Sequence, residues 1–335
     1  MGNGIKLSHS KTNKYLECPV RYEYYYEKKI RSRVYGSPLF FGSAIDNALN
    51  RLLLDKKPIL NEEEKEEMKF TPLEILTRDL KTGSINRGEE VELATYPYLQ
   101  FSKADFDKDV LLDEDFEFLG EDKVYWVTFV EWYHAELRKS KPEIEIEDTM
   151  KFNKVNLRCL LRKGEMILEV YQDEIMPQIQ EVISVQKVIS LPNDKGDEVT
   201  GVIDFEAIFV GDPEIYIVDN KTASKAYKDS DLDESSQLHT YAEAEGRTHI
   251  AFIVCEKNIR KRDPRVRINV LKGKINHVTM EKTFDKYKNT LYSIREGEFE
   301  QDRSSNCKFF GRRCEYYDLC HHEQMGKDLI DYKEK

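Results

Sequence analysis

The sequence predicts an α/β fold, mainly because its hydrophobic periodicity changes near residue 180. Beyond that point, three stretches rich in Val, Ile and Tyr have the composition of strands, and residues that favour turns separate them. A helical stretch and one more strand follow. A helix, three strands, a helix and a strand, in this order, are typical of an α/β core.

Each element of this core has a local signal. The turns contain Pro, Asn, Asp and Gly, and Gly246 ends the helix. In chain order we predict a strand at 182–189, a turn at 192–197, a strand at 199–210, a turn at 211–213, a strand at 214–221, a helix at 233–246 and a strand at 248–256.

Two helices are predicted before the core. The first covers residues 7–30, with serines near its start as candidate N-caps. The second starts near Phe41, and its apolar residues recur every three or four positions, which is typical of a helix with one buried face. The segment 55–175 carries charge runs and mixed helical patterns, including a predicted helix at 123–140, and indicates no chemistry.

Composition excludes several classes of protein. The chain has 335 residues, a formal net charge of −11 and six cysteines. No apolar run has the length of a membrane span and the N-terminus lacks a signal segment, so we expect a cytoplasmic protein, in the host cytoplasm if a phage encodes it. The acidic balance argues against a protein that coats nucleic acid with its whole surface, but it allows one basic groove.

Two carboxylates and a lysine on neighbouring strands are the strongest candidates for a catalytic site. Asp204 lies in an otherwise apolar strand, where carboxylates are rare, and hairpin pairing can bring it alongside the next strand. There Asp219 and Lys221 point the same way, because strand side chains alternate. With the backbone carbonyl of Asn220 they offer hard oxygen ligands suited to Mg²⁺ or Mn²⁺, and such a metal lowers the pKa of a bound water that attacks a phosphate. Asp-x-Lys alone is a weak pattern and also occurs as an ordinary salt bridge.

The predicted helix after these strands adds a polar pair. Gln237 and Tyr241 lie one turn apart on the same helical face. They are placed to contact a phosphate backbone and to brace Lys221, although a tyrosine in this position is also a common core residue.

Three of the six cysteines fall within one short C-terminal stretch. They are Cys307, Cys314 and Cys320. Three thiolates are one ligand short of a tetrahedral zinc site or a four-iron cluster, and Cys18 is the candidate fourth. The alternative is zinc with His321 or His322 as a ligand. Cys159 and Cys255 lie in apolar surroundings, so we expect buried thiols there.

These pieces, in this order, resemble the RecB-type branch of the PD-(D/E)XK nucleases, especially the iron–sulfur exonucleases that include CRISPR-associated and phage members. The resemblance covers about 1–50 and 180–325 and says nothing about 55–175. The matching pieces are Ser8–Tyr22 with its Tyr-x-x-Cys-Pro-x-x-Tyr, Phe41–Asp46, Gly201–Asp204, Asp219–Lys221, Gln237-x-x-x-Tyr241 and the three C-terminal cysteines.

The resemblance implies a restriction-endonuclease-like core with a central mixed sheet flanked by helices. Residues 1–54 and 176–300 would form this core, 55–175 a mainly helical insertion, and 301–335 a segment stapled by an iron–sulfur cluster. The implied activity is a Mg²⁺- or Mn²⁺-dependent DNA exonuclease that acts on single-stranded DNA or DNA ends in recombination, repair or CRISPR-type processing, with protein partners in such complexes.

The resemblance also implies roles for individual residues. Asp204 and Asp219 would be metal ligands, Lys221 the catalytic lysine, and Gln237 with Tyr241 the motif that follows the active site. The ligands of a [4Fe–4S] cluster would be Cys18, Cys307, Cys314 and Cys320.

Two positions depart from the family pattern. Asp46 stands where the family usually has a metal-binding histidine; as a third carboxylate it would favour Mg²⁺ over softer ions, or it marks an altered site. Six residues separate Cys307 from Cys314, where the family has a tighter pair. Glu181 is a further acidic candidate beside the first strand.

Basic runs flank the predicted catalytic elements and are candidates for contact with DNA. The candidate residues are Lys28, Lys29, Arg31, Arg260, Arg262, Arg312 and Arg313. Solvated loops are the alternative explanation for each run. Nearby aromatic side chains offer stacking surfaces for single-stranded bases, and core packing is an equal expectation for them. They are Tyr22, Tyr24, Tyr25, Phe309 and Phe310.

Two alternatives to a nuclease stay open at this point. One is a catalytically inactive DNA-binding or complex-assembly module of the same fold, although the intact Asp204, Asp219 and Lys221 argue against it. The other is a zinc-stapled enzyme of unrelated chemistry, which metal analysis separates from an iron–sulfur protein.

Overall fold

A six-stranded mixed sheet lies at the centre of the computed structural model of this chain. The residues that the structure describes are 4–32, 34–82, 145–147, 157–256, 266–300, 307–309, 312–326 and 329–331. The strands are β1 (Lys6–Leu7), β2 (Ile30–Ser32), β3 (Val34–Gly36), β4 (Glu145–Glu147), β5 (Ile179–Pro192), β6 (Glu198–Phe209), β7 (Asp212–Ala223), β8 (His249–Glu256), β9 (Arg267–Lys274), β10 (Lys308–Phe309), β11 (Arg312–Arg313) and β12 (Leu329–Asp331). The α-helices are α1 (His9–Glu17), α2 (Pro19–Tyr22), α3 (Ser37–Leu53), α4 (Glu62–Glu67), α5 (Pro72–Thr82), α6 (Leu157–Val170), α7 (Asp229–Asp233), α8 (Ser236–Ala244), α9 (His277–Arg295) and α10 (Tyr317–His322).

Strand β6 is the branch point of the sheet. Strand β5 pairs with it in antiparallel fashion along one edge. On the other edge, β1 pairs in parallel with Glu198 and Val199, and β7 pairs in antiparallel fashion from Phe205 onwards. Residues 200–204 therefore lie in a fork between two partners, and the first helix, α1, begins at the mouth of that fork.

Strands β7 and β8 are parallel, and β8 and β9 are antiparallel. A parallel neighbour needs a crossover, which the helices α7 and α8 provide. The result is a mixed sheet, and helices cover both of its faces.

Each face has its own apolar core. On one face, α3, α5 and α6 pack through Ile45, Leu76 and Ile167 against Phe205 and Val218 of the sheet. On the other face, α8 packs onto the sheet, and its apolar contacts are Leu238 and Ala242 against Ile203, Ile217 and Ile250. A third cluster joins α1 to α9 beside β1. This arrangement confirms the α/β fold with a mixed sheet flanked by helices.

The single helix predicted at 7–30 is wrong. The chain is broken at Cys18, which has extended backbone (φ −167°, ψ 111°), and α2 restarts at Pro19. The cause is local, because proline disfavours helical geometry in the residue before it and has no N–H to continue the helix. A π-helical turn at Glu23–Glu27 and strand β2 follow.

The described parts of segment 55–175 join the main core. Helices α5 and α6 lie against α3, and their buried residues include Ile75, Leu76 and Ile167. The helix predicted at 123–140 lies outside the described residues, and the proposed division into domains stays a prediction. Among the helices described, none combines the length and the apolar character that crossing a bilayer requires.

Candidate active site

A chain of hydrogen bonds joins the end of β7 to α8. Lys221 Nζ lies 2.5 Å from Asp219 Oδ2 and donates to Gln237 Oε1 at 3.1 Å. Gln237 Nε2 donates to Asp219 Oδ1 and to the Tyr241 hydroxyl oxygen, each at 3.1 Å. Asp219 and Lys221 thus point to the same face, as strand alternation predicts, and Gln237 holds both of them.

Asp204 lies where β6 loses its pairing with β7. The last paired residue there is Phe205, opposite Val218. Beyond it, the Asp204 carboxylate accepts the backbone N–H of Asn220 at 2.8 Å. The carboxylate therefore replaces a ladder hydrogen bond and is held beside the strand that carries Asp219.

Burial and neighbouring charges perturb these groups strongly. Burial, followed by the charges of Asp219 and Asp46, raises the pKa of Asp204 well above its usual value. Burial also raises the pKa of Asp219, although the charge of Lys221 opposes this. Burial alone would lower the pKa of Lys221, but the carboxylates of Asp219, Asp204 and Asp46 outweigh it, so its pKa is raised and the amine stays protonated. Asp46, on α3, therefore lies close enough to act on both strands.

The ring of Tyr241 occupies the space that a side chain at position 201 would fill. A Cβ placed on Gly201 would lie 2.4 Å from Tyr241 Cε1 and 3.0 Å from its hydroxyl oxygen. Tyr241 is 6% exposed, and burial raises its pKa to about 12, so the hydroxyl is protonated at neutral pH. Gly201 therefore allows β6 to accept the ring that holds Gln237.

Asn220 contributes its side chain to the opposite face of the sheet. Its Oδ1 accepts a hydrogen bond from the Tyr171 hydroxyl at 3.1 Å, while Nδ2 has no hydrogen-bond partner among the described residues. Cys255 is fully buried, and burial, followed by the charge of Asp46, raises its pKa. The expectation of a buried thiol is confirmed for Cys255, and the side chain of Cys159 lies outside the described residues.

His9 belongs to this site, and no sequence pattern indicated it. It is the first residue of α1, which starts directly after β1 pairs with β6, and its Nε2 lies 2.9 Å from Asn13 Nδ2. Burial, followed by the positive charges of Lys221 and Lys286, lowers its pKa to about 4, so the ring is neutral at pH 7. Its place beside Ser8, in the first of the matching motifs, is the one signal that could have found it.

Glu206, and not Glu181, is the acidic residue buried in the sheet near the site. Glu181 is paired opposite Ile208, about 13 Å along β6 from Asp204, so it is not brought into the site. Glu206 is 1% exposed and accepts hydrogen bonds from Ser184, Lys187 and Arg247. These partners satisfy its charge and give it a structural role.

The four cysteines of the predicted cluster lie near one another. The Cys314 N–H donates to the Cys307 carbonyl at 2.7 Å, and Cys307 Sγ lies 3.5 Å from His321 Nε2. Burial raises the pKa of Cys18, and the charges of Cys320 and Cys307 add to it. Burial is also the main cause that raises the pKa of Cys314 to about 12, with a smaller contribution from Cys18. The cluster itself stays a prediction.

Other contacts attach the C-terminal segment to the N-terminal helices. The guanidinium of Arg21 contacts Glu315 Oε1 through Nε at 3.0 Å and through a second nitrogen at 2.9 Å. The Tyr316 hydroxyl donates to the Ile30 carbonyl at 2.7 Å, and β12 pairs with β2. The junction between the two ends of the chain therefore has protein contacts of its own.

The predicted DNA-binding residues are described only in part. Lys28 forms an ion pair with Glu23 at 3.0 Å and lies over the ring of Tyr24. Lys29 is exposed. The residues whose side chains, or whole positions, lie outside the described part are Arg31, Arg260, Arg262, Arg312 and Arg313. Tyr22 is 2% exposed and stacks on Phe299, so it packs in the core and is not open to bases.

Within the described ranges, no group of three or more His, Cys, Asp or Glu side chains has the arrangement of a metal site. This holds for the carboxylates at the fork of β6 and for the cysteines. The metal and cluster predictions therefore depend on the chemistry of the donors and on the family.

Comparison with known proteins identifies a family. A model described as the PD-(D/E)XK nuclease superfamily matches residues 6–321. Among solved structures, a protein from Eubacterium rectale provisionally named as an exonuclease is 14% identical, with a TM-score of 0.31, over 60% of this chain and 72% of that one. The structure of SSO0001 is 13% identical, with a TM-score of 0.26, over 39% of this chain and 59% of that one. A search of curated proteins gives no match. TM-scores this low do not establish a shared fold, so the family assignment depends on the match to residues 6–321.

Proposed function

The chain belongs to the PD-(D/E)XK nuclease superfamily, and on this basis we propose that it is a Mg²⁺- or Mn²⁺-dependent DNA exonuclease. The substrate would be single-stranded DNA or DNA ends. The observation that carries the proposal is the convergence of Asp204, Asp219 and Lys221 at the fork of β6, with Gln237 bonded to both members of the β7 pair. A site without chemistry has no physical need to enclose charges that burial penalises.

The donor set suits a hard divalent cation. Asp204 and Asp219 supply carboxylate oxygens, the Asn220 carbonyl is a further candidate, and Asp46 is near enough for its charge to act on Asp204. Burial, followed by the charge of Asp219, raises the pKa of Asp204, which means that its ionised form is unfavourable there. A dication held by these carboxylates would stabilise that ionised form. When bound, the metal would lower the pKa of a water molecule and stabilise the negative charge that develops on the phosphate.

The protein's own residues supply position and charge. Lys221 is protonated, and its Nζ is fixed between Asp219 and Gln237, where it can orient the attacking water or offset charge on the phosphate. Gln237 keeps the lysine and the carboxylate in one geometry, and Tyr241 in turn holds Gln237.

A cleavage assay with matched variants tests the proposal. Labelled single- and double-stranded DNA would be incubated with Mg²⁺ or Mn²⁺ and with wild type, Asp204→Ala or Lys221→Ala. Asp212→Asn, at the start of β7, and Lys195→Ala, in the turn before β6, serve as controls because neither residue contacts the site. Both active-site variants should lose activity by 10²-fold or more, on the order expected for removal of one catalytic group. Unchanged activity in both would overturn the proposal, and a wild type that binds DNA without cutting it would favour the inactive module.

A covalently closed circular substrate separates the two classes of nuclease. An exonuclease should degrade linear DNA and leave the closed circle intact, because the circle has no end. Cleavage of the circle at a comparable rate would overturn the exonuclease assignment while leaving the nuclease in place.

We also propose that the C-terminal cysteines hold a [4Fe–4S] cluster. The support is the approach of Cys18 to Cys307, Cys314 and Cys320, which places thiols from both ends of the chain together. Iron with labile sulfide and a broad visible absorption are the expected result for protein purified without oxygen. Stoichiometric zinc without iron would overturn the cluster and support the zinc alternative.

A further inference from the structure

The negative charge of the candidate active site would repel the phosphates of DNA. Three carboxylates act on one another there, and DNA adds a polyanion. Among the described residues, Lys221 is the one lysine bonded within the site, and two of its three donors already serve Asp219 and Gln237. Donors from elsewhere must receive the phosphates that flank the scissile bond.

His9 is placed by the sheet to be such a donor. Strand β1 pairs with the start of β6, and the Thr200 hydroxyl donates to the Leu7 carbonyl at 3.4 Å. The chain then enters α1 at His9, at the mouth of the fork that holds Asp204. The Asn13 amide nitrogen faces His9 Nε2 at 2.9 Å, so Nε2 is the acceptor and Nδ1 carries the hydrogen. No hydrogen bond from another described residue engages Nδ1.

Lys286 is brought to the same place by α9. The next residue, Tyr287, is buried, and its hydroxyl lies 2.9 Å from Thr240 Oγ1 on α8, directly before Tyr241. Helix α9 also packs on α1 through the apolar cluster that contains Tyr15. Lys286 itself is exposed and forms no ion pair with any residue in the described ranges. Lys286 is near enough to His9 for its positive charge to contribute to the lowered pKa of the imidazole.

We infer that His9 and Lys286 form a phosphate-binding subsite for the DNA backbone beside Lys221. This deepens the proposed function and depends on it. Lys286 supplies the charge for a backbone phosphate, and the neutral His9 supplies a directed Nδ1–H donor. The subsite does not select a sequence, because it contacts only the backbone.

Substitutions of Lys286 and His9 should change the salt dependence of DNA binding differently, because only Lys286 is charged. Binding of a labelled single-stranded oligonucleotide would be measured by fluorescence anisotropy in EDTA, over a series of salt concentrations. Lys286→Ala should weaken binding several-fold and make the slope of log K against log[salt] shallower by about 0.7, the value for one lost phosphate contact on a single strand. His9→Ala should weaken binding by a similar factor and leave the slope unchanged, because a neutral donor releases no counterion.

The matched control is Lys288→Ala, an exposed lysine of the same helix that lies about 200° further around its axis. Lys288→Ala should bind within twofold of wild type. Under turnover, both subsite variants should raise KM and keep kcat within about threefold, since they bind the flanking backbone. His9→Gln is the second variant if His9→Ala does not fold.

The outcomes separate the two proposals. If wild type cleaves DNA, Lys221→Ala does not, and Lys286→Ala binds like Lys288→Ala, the subsite is overturned and the nuclease stands. If the His9 variants make the salt slope shallower as Lys286→Ala does, the neutral-donor role of His9 is wrong. If wild type neither binds nor cleaves DNA, both proposals fall.

Discussion

Replacing Gly201 with alanine should damage the site without changing any charged or hydrogen-bonding side chain in it. The new methyl group would lie 2.4 Å from Cε1 of the Tyr241 ring, and an ordinary contact begins near 3.4 Å. The ring must therefore retreat by about 1 Å. Its hydroxyl would draw away from Gln237 Nε2, which it now meets at 3.1 Å, and Gln237 would no longer be fixed between Asp219 and Lys221.

The size of the effect follows from packing and from geometry. Inserting a methyl group into a close-packed core costs about 1–3 kcal/mol of stability. A displacement of about 1 Å in a positioning group costs up to about 10²-fold in rate. We therefore expect kcat to fall by roughly 10- to 100-fold, with a change in KM of less than about threefold, because the added methyl group is directed at the Tyr241 ring.

The assay is the cleavage of labelled DNA, combined with a double-mutant cycle. Tyr241→Leu removes the ring atoms that the methyl group would strike, so adding Gly201→Ala to it should cost little more in rate. Gly273→Ala is the control, since its methyl group would meet only the flexible end of Leu232, at 2.9 Å. If the losses for Gly201→Ala and Tyr241→Leu multiply in the double variant, the ring is not the cause and the reasoning is refuted.

Three further predictions concern stability and the cysteines. Tyr316→Phe leaves the buried Ile30 carbonyl without its donor and should lower the free energy of unfolding by about 1–3 kcal/mol in urea titrations. The pKa of Asp197 is lowered by hydrogen bonds and by Arg295, against the effect of burial, so its ionised form stabilises the fold above the unfolded pKa near 3.9. The stability lost in Asp197→Asn should therefore be largest at pH 6–7 and should shrink as the pH falls below about 4, and a pH-independent difference would contradict this. Cys314→Ser should lose the visible absorption of a cluster, and retained absorption would mean that the ligands are wrong.

The sequence predicted the strands of the sheet because their signals are local. Each strand is marked by a run of β-branched residues and by the turn residues at its ends, and these signals lie close together in the sequence. Asp204 and Asp219 could be placed side by side because hairpin pairing and strand alternation are simple rules. The break at Cys18–Pro19 was also local, and the run of aromatic residues around it concealed the boundary.

The positions that the sequence could not predict depend on contacts between distant segments. His9 enters the site only because a two-residue strand, Lys6–Leu7, pairs with β6, and a strand this short has no periodicity to detect. Lys286 enters because Tyr287 bonds to α8. The requirement for glycine at 201 is also non-local, because the ring that occupies the space beside it belongs to Tyr241, forty residues away.

Several separate contacts, besides the proposed cluster, attach the C-terminal cysteine segment to the N-terminal elements. A cluster that joined Cys18 to the C-terminal thiols would be a strong staple if it were alone. The same junction, however, is held by the ion pair of Arg21 with Glu315, by the Tyr316 hydroxyl and by the pairing of β12 with β2. Loss of the metal should therefore leave the segment docked and remove only the part of the stability that the cluster adds. Cys314→Ser should then abolish the absorption with a loss of stability no larger than that of Tyr316→Phe, and release of the segment to protease in Cys314→Ser alone would show that the cluster is the main attachment.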